Sequence, residues 1–189
     1  MKKILIFLIL GVLSIGIAWH DAQATSIIAM SDDVMADAAE VIVQGTIVKV
    51  EPFQYDARTI LTKVTIQVED YLKAPDGTEQ DGTYVFYTRG GQLGDVVQTV
   101  SGEFQAVEGK AVIVFLERIK KYGGLPMVLG LKTGAYWIED APEVDGRSER
   151  MTRERFARAC GAVKPERVPL KDVRARIQKR VQKKQGGMK

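Results

Sequence analysis

The side chains best suited to acid–base chemistry are two adjacent acidic pairs, each predicted at the end of a strand. They are Glu69 with Asp70, and Glu139 with Asp140. Two carboxyl groups that face one cleft can hydrolyse a glycosidic bond. Adjacent residues of a strand point to opposite faces, however, so neither pair forms a catalytic dyad by itself. A carboxylate-based hydrolase acting on envelope polymers is therefore an alternative hypothesis, and the sequence assigns no catalytic residue.

The first 24 residues have the order of a secretory signal peptide. Lys2 and Lys3 precede an apolar run over residues 4–19, and Ala22-Gln23-Ala24 supplies the small residues of a cleavage site. A membrane-spanning helix needs about 20 apolar residues, and this run is shorter. We therefore expect an exported protein, periplasmic or extracellular, that begins at Thr25 after cleavage.

Histidine and cysteine are scarce, which limits the available mechanisms. The single histidine, His20, lies within the predicted signal peptide, so the exported chain would have no imidazole for a catalytic triad or a metal site. The single cysteine, Cys160, cannot form an intramolecular disulfide. Its apolar neighbours favour a small buried side chain over a reactive thiol. We expect no metal and no cofactor.

A glycine-rich segment forms a candidate partner loop of four residues: Arg89, Gly90, Gly91 and Gln92. It matches neither the dinucleotide-binding nor the P-loop motif. Glycines permit close approach of a partner to the backbone. The alternative is an irregular turn between two strands.

The C-terminal segment is strongly basic and contains six candidate anion-binding residues. They are Arg174, Arg176, Lys179, Arg180, Lys183 and Lys184. Outside the cytoplasm the available anions are lipid headgroups, envelope polymers and acidic proteins, and peripheral membrane contact through this segment is one possibility. Nucleic acid is not expected, because the segment lacks aromatic residues for base stacking. The other possibility is internal: the basic segment packs against the acidic part of the same chain.

The overall composition, with a net charge of +3, conceals two blocks of opposite sign. Residues 25–146 contain ten basic and nineteen acidic side chains, whereas residues 147–189 contain fifteen basic and four acidic. The 189 residues and 46% hydrophobic content are typical of one soluble globular domain. We therefore divide the chain into a signal peptide (1–24), an acidic β domain (25–146) and a basic helical extension (147–189).

The acidic block is predicted to be mainly β. Ser31 can cap a short helix through Ala39, with Val34, Ala38 and Val41 along one side. Strands are expected over the segments 41–50, 60–70, 83–88, 96–100, 111–117, 126–131 and 135–139. Val64, Ile66 and Val68 alternate with polar residues, as in a half-buried strand. Gly45 indicates a bulge or a tight bend. The segment 111–116 is apolar on both faces, which predicts a strand that runs through the middle of the fold. Short strands and frequent glycines favour a small antiparallel barrel or sandwich, and a barrel has the advantage of leaving no exposed strand edges.

The basic block is predicted to contain one or two helices. One helix is expected from Thr152 to Val163, and a second from Leu170 to Lys184. Leu170, Val173, Ile177 and Val181 form a narrow apolar stripe on the second helix, which therefore needs a surface to pack against.

The order of these segments resembles a known group of proteins. The pieces are AEVIVQGTIVKV, VTIQVEDYLKA, YVFYTRGGQLGD, GEFQAVEGKAVIVFLER and VLGLKTGAYWI, followed by PLKDVRARIQ. They are similar to uncharacterised secreted bacterial proteins with an OB-like barrel, a fold compared with the inhibitory domain of metalloproteinase inhibitors. Those inhibitors begin with a zinc-chelating cysteine, whereas Thr25 is expected here. The resemblance therefore implies fold, not inhibition.

These observations favour an exported, non-enzymatic binding or adaptor module of unknown ligand. Its partner would be a protein or an anionic envelope polymer. The hydrolase and a membrane-surface protein remain the alternatives.

Overall fold

The computed structural model describes residues 30–75, 82–140, 150–154 and 167–186. Within these ranges the chain is mainly β, with a short helix before the strands and a longer one after them. The helices are α1 (Asp32–Ala38) and α2 (Leu170–Gly186). The strands are β1 (Val41–Asp56), β2 (Thr59–Lys73), β3 (Thr83–Arg89), β4 (Gly91–Leu93), β5 (Val96–Gln98), β6 (Ala111–Ile119), β7 (Leu125–Val128), β8 (Ala135–Asp140), β9 (Arg150–Glu154) and β10 (Arg167–Pro169).

Five strands pair in a closed ring, in the order β1-β2-β3-β7-β6 and back to β1. The long hairpin of β1 and β2 forms much of it. The register of that hairpin shifts between Gln44 and Gly45, which confirms the predicted bulge. A Cβ atom at Gly45 would lie 2.0 Å from the carbonyl oxygen of Gln67, so the neighbouring strand excludes any side chain there.

The sheet is not entirely antiparallel, and this corrects the expectation from sequence. Strands β3 and β7 run parallel where they meet, at Tyr87 and Met127. Strand direction cannot alternate all the way around a ring with an odd number of strands. One parallel pair is therefore the consequence of closing a ring of five.

Strand β6 separates two apolar clusters. Val112, Val114 and Leu116 are buried in the cluster that lies inside the ring. Ile113 and Phe115 are buried in the cluster between the sheet and the helices. Successive side chains of a strand point to opposite faces, so this confirms that the segment runs through the middle of the fold.

Helix α1 begins where predicted but buries a different face. Ser31 is its N-cap, and the Ser31 hydroxyl accepts a hydrogen bond from the Val34 N–H at 3.4 Å. Met35 and Ala36 are buried, whereas Val34 is half exposed. The helix has only seven residues and is apolar on most sides, so apolar spacing alone did not determine which face meets the sheet.

The basic block is not only helical. The predicted helix from Thr152 is wrong over its first three residues, because Arg150–Glu154 is strand β9 and pairs with β8. The rest of that predicted helix and Cys160 lie outside the described residues, as do the segment 1–24 and Thr25. Strand β10 pairs with β9, so the basic block extends the sheet that the acidic block begins. Cross-strand pairing with β8 outweighed the local helical spacing.

Helix α2 matches the prediction and packs on the outer face of the sheet. Leu170, Val173 and Ile177 are buried with Met35 and Phe115. The predicted apolar stripe is therefore covered by the chain's own sheet and by α1. In the part of the chain that the structure describes, neither helix has the length and apolarity to cross a bilayer.

Candidate functional site

A cavity of about 510 Å³ lies beside the hairpin of β4 and β5. One wall comes from Gly91, Gln92, Val97 and Gln98 of that hairpin, and a second from the loop 99–105. Lys132, Ala135 and Trp137 complete the lining. The Lys132 N–H donates to the Gly102 carbonyl at 2.9 Å, which ties the loop to this third wall. The volume is typical of a small-ligand site.

The hairpin wall is held in place by side-chain bonds from Gln98. Its Oε1 accepts from the Ile60 N–H at 2.6 Å, and its Nε2 donates to the Arg58 carbonyl at 3.2 Å. The amide is therefore used within the fold and anchors β5 to the start of β2. A wall fixed in this way is preorganised for a ligand.

Glu103 is the most unusual side chain of the cavity. The residue is 5% exposed, and its Oε2 accepts a hydrogen bond from Arg89 Nε at 2.6 Å. Its other oxygen, Oε1, has no side-chain hydrogen-bond partner among the described residues, and it is enclosed by the fold and does not open onto the cavity, since the Glu103 side chain is 1% exposed. Burial raises the pKa of Glu103 above its ordinary value of 4.5, and the positive charge of Arg89 opposes that shift. An unpartnered buried carboxylate oxygen costs about 1–3 kcal/mol.

Two aromatic rings form the floor beside Glu103. The centroids of Phe104 and Trp137 are 5.1 Å apart, with 31° between the ring planes. Phe104 also packs against Phe86 inside the ring of strands, with 6.4 Å between the two ring centroids. The floor is therefore continuous with the apolar core, and its position is fixed by packing.

The candidate partner loop lies at this cavity, and its glycines serve the fold. A Cβ atom at Gly90 would lie 2.4 Å from the Gln98 carbonyl oxygen, and one at Gly91 would lie 2.5 Å from Thr62 Oγ1. Both glycines have positive φ angles, 84° and 138°. The two glycines thus allow neighbouring parts of the same chain to pack closely against their backbone. Of the other two loop residues, Arg89 forms an ion pair with Glu103 and Gln92 lines the cavity.

The candidate anion-binding residues divide into two groups. Four of the six contact acidic or carbonyl groups of this chain: Arg174 pairs with Asp70, Arg176 with Asp32, Arg180 with Asp37, and Lys184 bonds to the Asp37 carbonyl. The guanidinium of Arg180 lowers the pKa of Asp37. Lys179 and Lys183 are exposed. The structure therefore supports the internal role for most of the basic helix.

The four acidic residues of the hydrolase hypothesis are not brought together at the cavity. Glu69 accepts hydrogen bonds from Gln44 Nε2 at 2.9 Å and from Thr46 Oγ1 at 3.3 Å, whereas Asp70 meets Arg174 on α2. Glu139 and Asp140 belong to β8, and neither lines the cavity. Within the described residues, no group of three or more His, Cys, Asp and Glu side chains could hold a metal ion.

The cavity itself was missed by sequence reasoning. Glu103 comes from the loop before β6, whereas Lys132 and Trp137 both lie in residues 128–138, and no motif in either segment indicated a binding role. The available signal was an acidic residue, Glu103, directly before an apolar residue, Phe104, in a loop. The sequence alone does not show which residue such an acid would contact.

Comparisons with known proteins assign no family to this geometry. No protein-family model matches the chain, and no curated protein matches it.

Proposed function

We propose that the protein is an exported, non-enzymatic binding module, with an OB-like barrel as its scaffold and the cavity beside the β4–β5 hairpin as its ligand site. The observation that carries the proposal is the cavity itself, which has a volume of about 510 Å³ and a wall that Gln98 fixes to the start of β2. Preformed concave sites of this size, lined by aromatic and polar side chains, are the usual form of a small-ligand site.

The scaffold part of the proposal is supported by the order of the strands. A five-stranded ring in which β3 meets β7 in parallel fits a Greek-key barrel of the OB type. The signal-peptide pattern before Thr25 supports export. A binding role is favoured over hydrolysis because one carboxylate lines the cavity among the described residues, whereas glycoside hydrolysis commonly uses two.

An anion-binding site on the basic helix α2 is less well supported than the cavity. Lys179 and Lys183 are the exposed candidates, and the other four already contact groups of this chain. Surface cations contribute to binding an anionic surface roughly in proportion to their number. An anionic partner that bound this helix would therefore contact mainly Lys179 and Lys183, which are a small part of the positive charge of residues 147–189.

The test is a saturation-transfer NMR screen of the full chain against a library of fragment-sized compounds. Thr99 lines the cavity and is exposed, so Thr99→Phe should obstruct the site without altering the core. Val107 is exposed and does not line the cavity, so Val107→Phe is the matched control.

We expect a set of fragments to bind the wild type and the Val107→Phe variant and to lose binding to the Thr99→Phe variant. Equal binding to both variants, or no binding to the wild type, would contradict the assignment of the cavity as the ligand site.

A further inference from the structure

Four aromatic side chains lie outside both apolar clusters and are grouped at the turn end of the β1–β2 hairpin. They are Phe53, Tyr55, Tyr87 and Tyr122. Every other aromatic side chain in the described ranges belongs to one of the two clusters. Tyr87 points to the outside of the ring of strands, because its neighbour Phe86 is buried inside and successive side chains of a strand alternate. The four rings therefore form part of the surface.

Two edge-to-face contacts hold these rings in place. The ring centroids of Phe53 and Tyr87 are 6.0 Å apart, and those of Tyr55 and Tyr122 are 5.7 Å apart, with 70° and 75° between the ring planes. Tyr55 is 37% exposed, and the other three side chains are half-buried. Edge-to-face packing fixes the rings without stacking them on each other, so exposed ring surface is held in position for a partner.

Cationic side chains surround the rings. The Lys121 Nζ lies 5.5 Å from the centroid of the Tyr122 ring, in the turn between β6 and β7. Lys63 on β2 lies opposite Tyr87 on β3. The cations of this surface that form no salt bridge with another described residue are Arg58, Lys63, Lys120 and Lys121.

The acidic side chains near the rings do not cancel this charge. Glu51 already pairs with Lys49 at 2.8 Å. Asp56, in the turn of the hairpin, is exposed, and Glu117 on β6 is half-buried. Because these two carboxylates are fewer than the four unpaired cations, the described part of this surface has a net positive charge.

Rings beside unpaired cations fit a partner that has negative charge at the edge of a flat, weakly polar ring. The C–H groups of a sugar form such a face, and a uronic acid has a carboxylate at the edge of the same ring. Lysine and arginine pair with carboxylates, and tyrosine hydroxyls donate to sugar oxygens. Nucleic-acid bases also stack on aromatic rings beside cations, but the expected export of the chain favours a polysaccharide.

We infer that this surface binds an acidic polysaccharide built from uronic acids. We call it the hairpin-end surface, and it consists of Phe53, Tyr55, Tyr87 and Tyr122 with Arg58, Lys63, Lys120 and Lys121. None of these residues lines the cavity beside the β4–β5 hairpin, so the inference goes beyond the proposed ligand site and does not rest on it.

The experiment is isothermal titration calorimetry of the full chain with a hexamer of galacturonic acid, and neutral maltohexaose is the contrast. We expect the galacturonate hexamer to bind and its affinity to fall as salt is added, since exposed charges are screened by ions. Maltohexaose should not bind measurably, because it has sugar rings of similar size without the carboxylates.

Two double variants with the same change of charge distinguish the hairpin-end surface from the basic helix. The turn variant combines Lys120→Gln with Lys121→Gln, and the helix variant combines Lys179→Gln with Lys183→Gln. All four lysines are exposed. We expect the Kd of the hexamer to rise by about fivefold or more in the turn variant, with a weaker dependence on salt, and to stay within about twofold of the wild type in the helix variant.

Tyr55→Ala tests the contribution of the rings, because it removes the most exposed of the four. We expect the Kd to rise by about fivefold, while the dependence on salt stays that of the wild type because no charge is lost. An unchanged Kd in Tyr55→Ala would contradict the packing of sugar on this surface. The turn variant keeps the experiment decisive if Tyr55→Ala lowers the unfolding temperature.

The inference is overturned if the galacturonate hexamer does not bind the wild type or if maltohexaose binds equally well. It is also overturned if the helix variant loses more affinity than the turn variant. Tighter binding of a single-stranded oligothymidylate, with the same dependence on Lys120 and Lys121, would identify the partner as nucleic acid instead. Thr99→Phe should bind the hexamer like the wild type, and loss of binding there would assign the hexamer to the cavity, in favour of the proposed ligand site and against this inference.

Discussion

Replacing Ile177 by alanine tests whether the basic helix is an integral part of the fold. Ile177 is fully buried between α1 and the sheet. Truncation of a buried isoleucine removes its transfer free energy and leaves a cavity, which together cost about 2–5 kcal/mol. We expect the free energy of unfolding to fall by about 3 kcal/mol, a large share of the roughly 5–15 kcal/mol typical of a domain.

The assay is urea unfolding of the full chain followed by circular dichroism, and Lys179→Ala is the matched control on the same helix. Lys179 is exposed, so its replacement should change the free energy of unfolding by less than about 0.5 kcal/mol. If Ile177→Ala destabilises the protein no more than Lys179→Ala does, then α2 is not packed in solution. The basic helix would in that case be free to bind anions through all of its cations.

Two further predictions concern the ion pair of α1 and the glycines beside the cavity. Because the pKa of Asp37 is lowered by Arg180 from its ordinary value of 3.8, its contribution to stability is complete above that value and is lost as the pH falls through the lower folded-state pKa. Asp37→Asn should therefore unfold at a lower temperature than the wild type at pH 7, and this difference should shrink as the pH is lowered below 3.8; a difference that does not change with pH would contradict the role of the pair. Gly90→Ala should lower the unfolding temperature more than Gly94→Ala, since both glycines have positive φ but a Cβ atom meets the Gln98 carbonyl oxygen only at Gly90. Equal shifts in the two variants would show that the contact relaxes without cost.

The predictions from sequence succeeded where a segment has a regular apolar period. Val64 and Ile66 on β2, and Ile177 on α2, are buried as their spacing indicates. The Gly45 bulge was also predictable, because a glycine inside a strand weakens regular pairing and commonly marks a bulge or a close approach of backbone.

The failures share one physical cause, which is that tertiary contacts decided the outcome. Thr152 lies in a segment with helical spacing, yet it pairs with Ile138 across the sheet. The parallel contact of Tyr87 with Met127 follows from ring closure, which no local pattern encodes.

The candidate site could be predicted only in part. The glycine-rich loop was recognised, and it does lie beside the cavity. Glu103 and Trp137 were not, because their roles depend on the folding together of segments that are far apart in the chain. The opposite net charges of residues 25–146 and 147–189 were visible from composition. Whether Arg180 pairs with an acidic residue of the same chain or faces solvent depends on the position of Asp37, which composition does not show.

The bond between Asp37 and Arg180 joins residues 143 positions apart, which has a consequence for biosynthesis. Domains emerge from the ribosome N-terminus first, so α1 is made long before the helix that covers it. Until that helix has been synthesised, Met35 and Phe115 lack the part of their apolar cover that Leu170, Val173 and Ile177 provide. A partly synthesised chain therefore exposes apolar side chains and is more prone to aggregation than the complete fold.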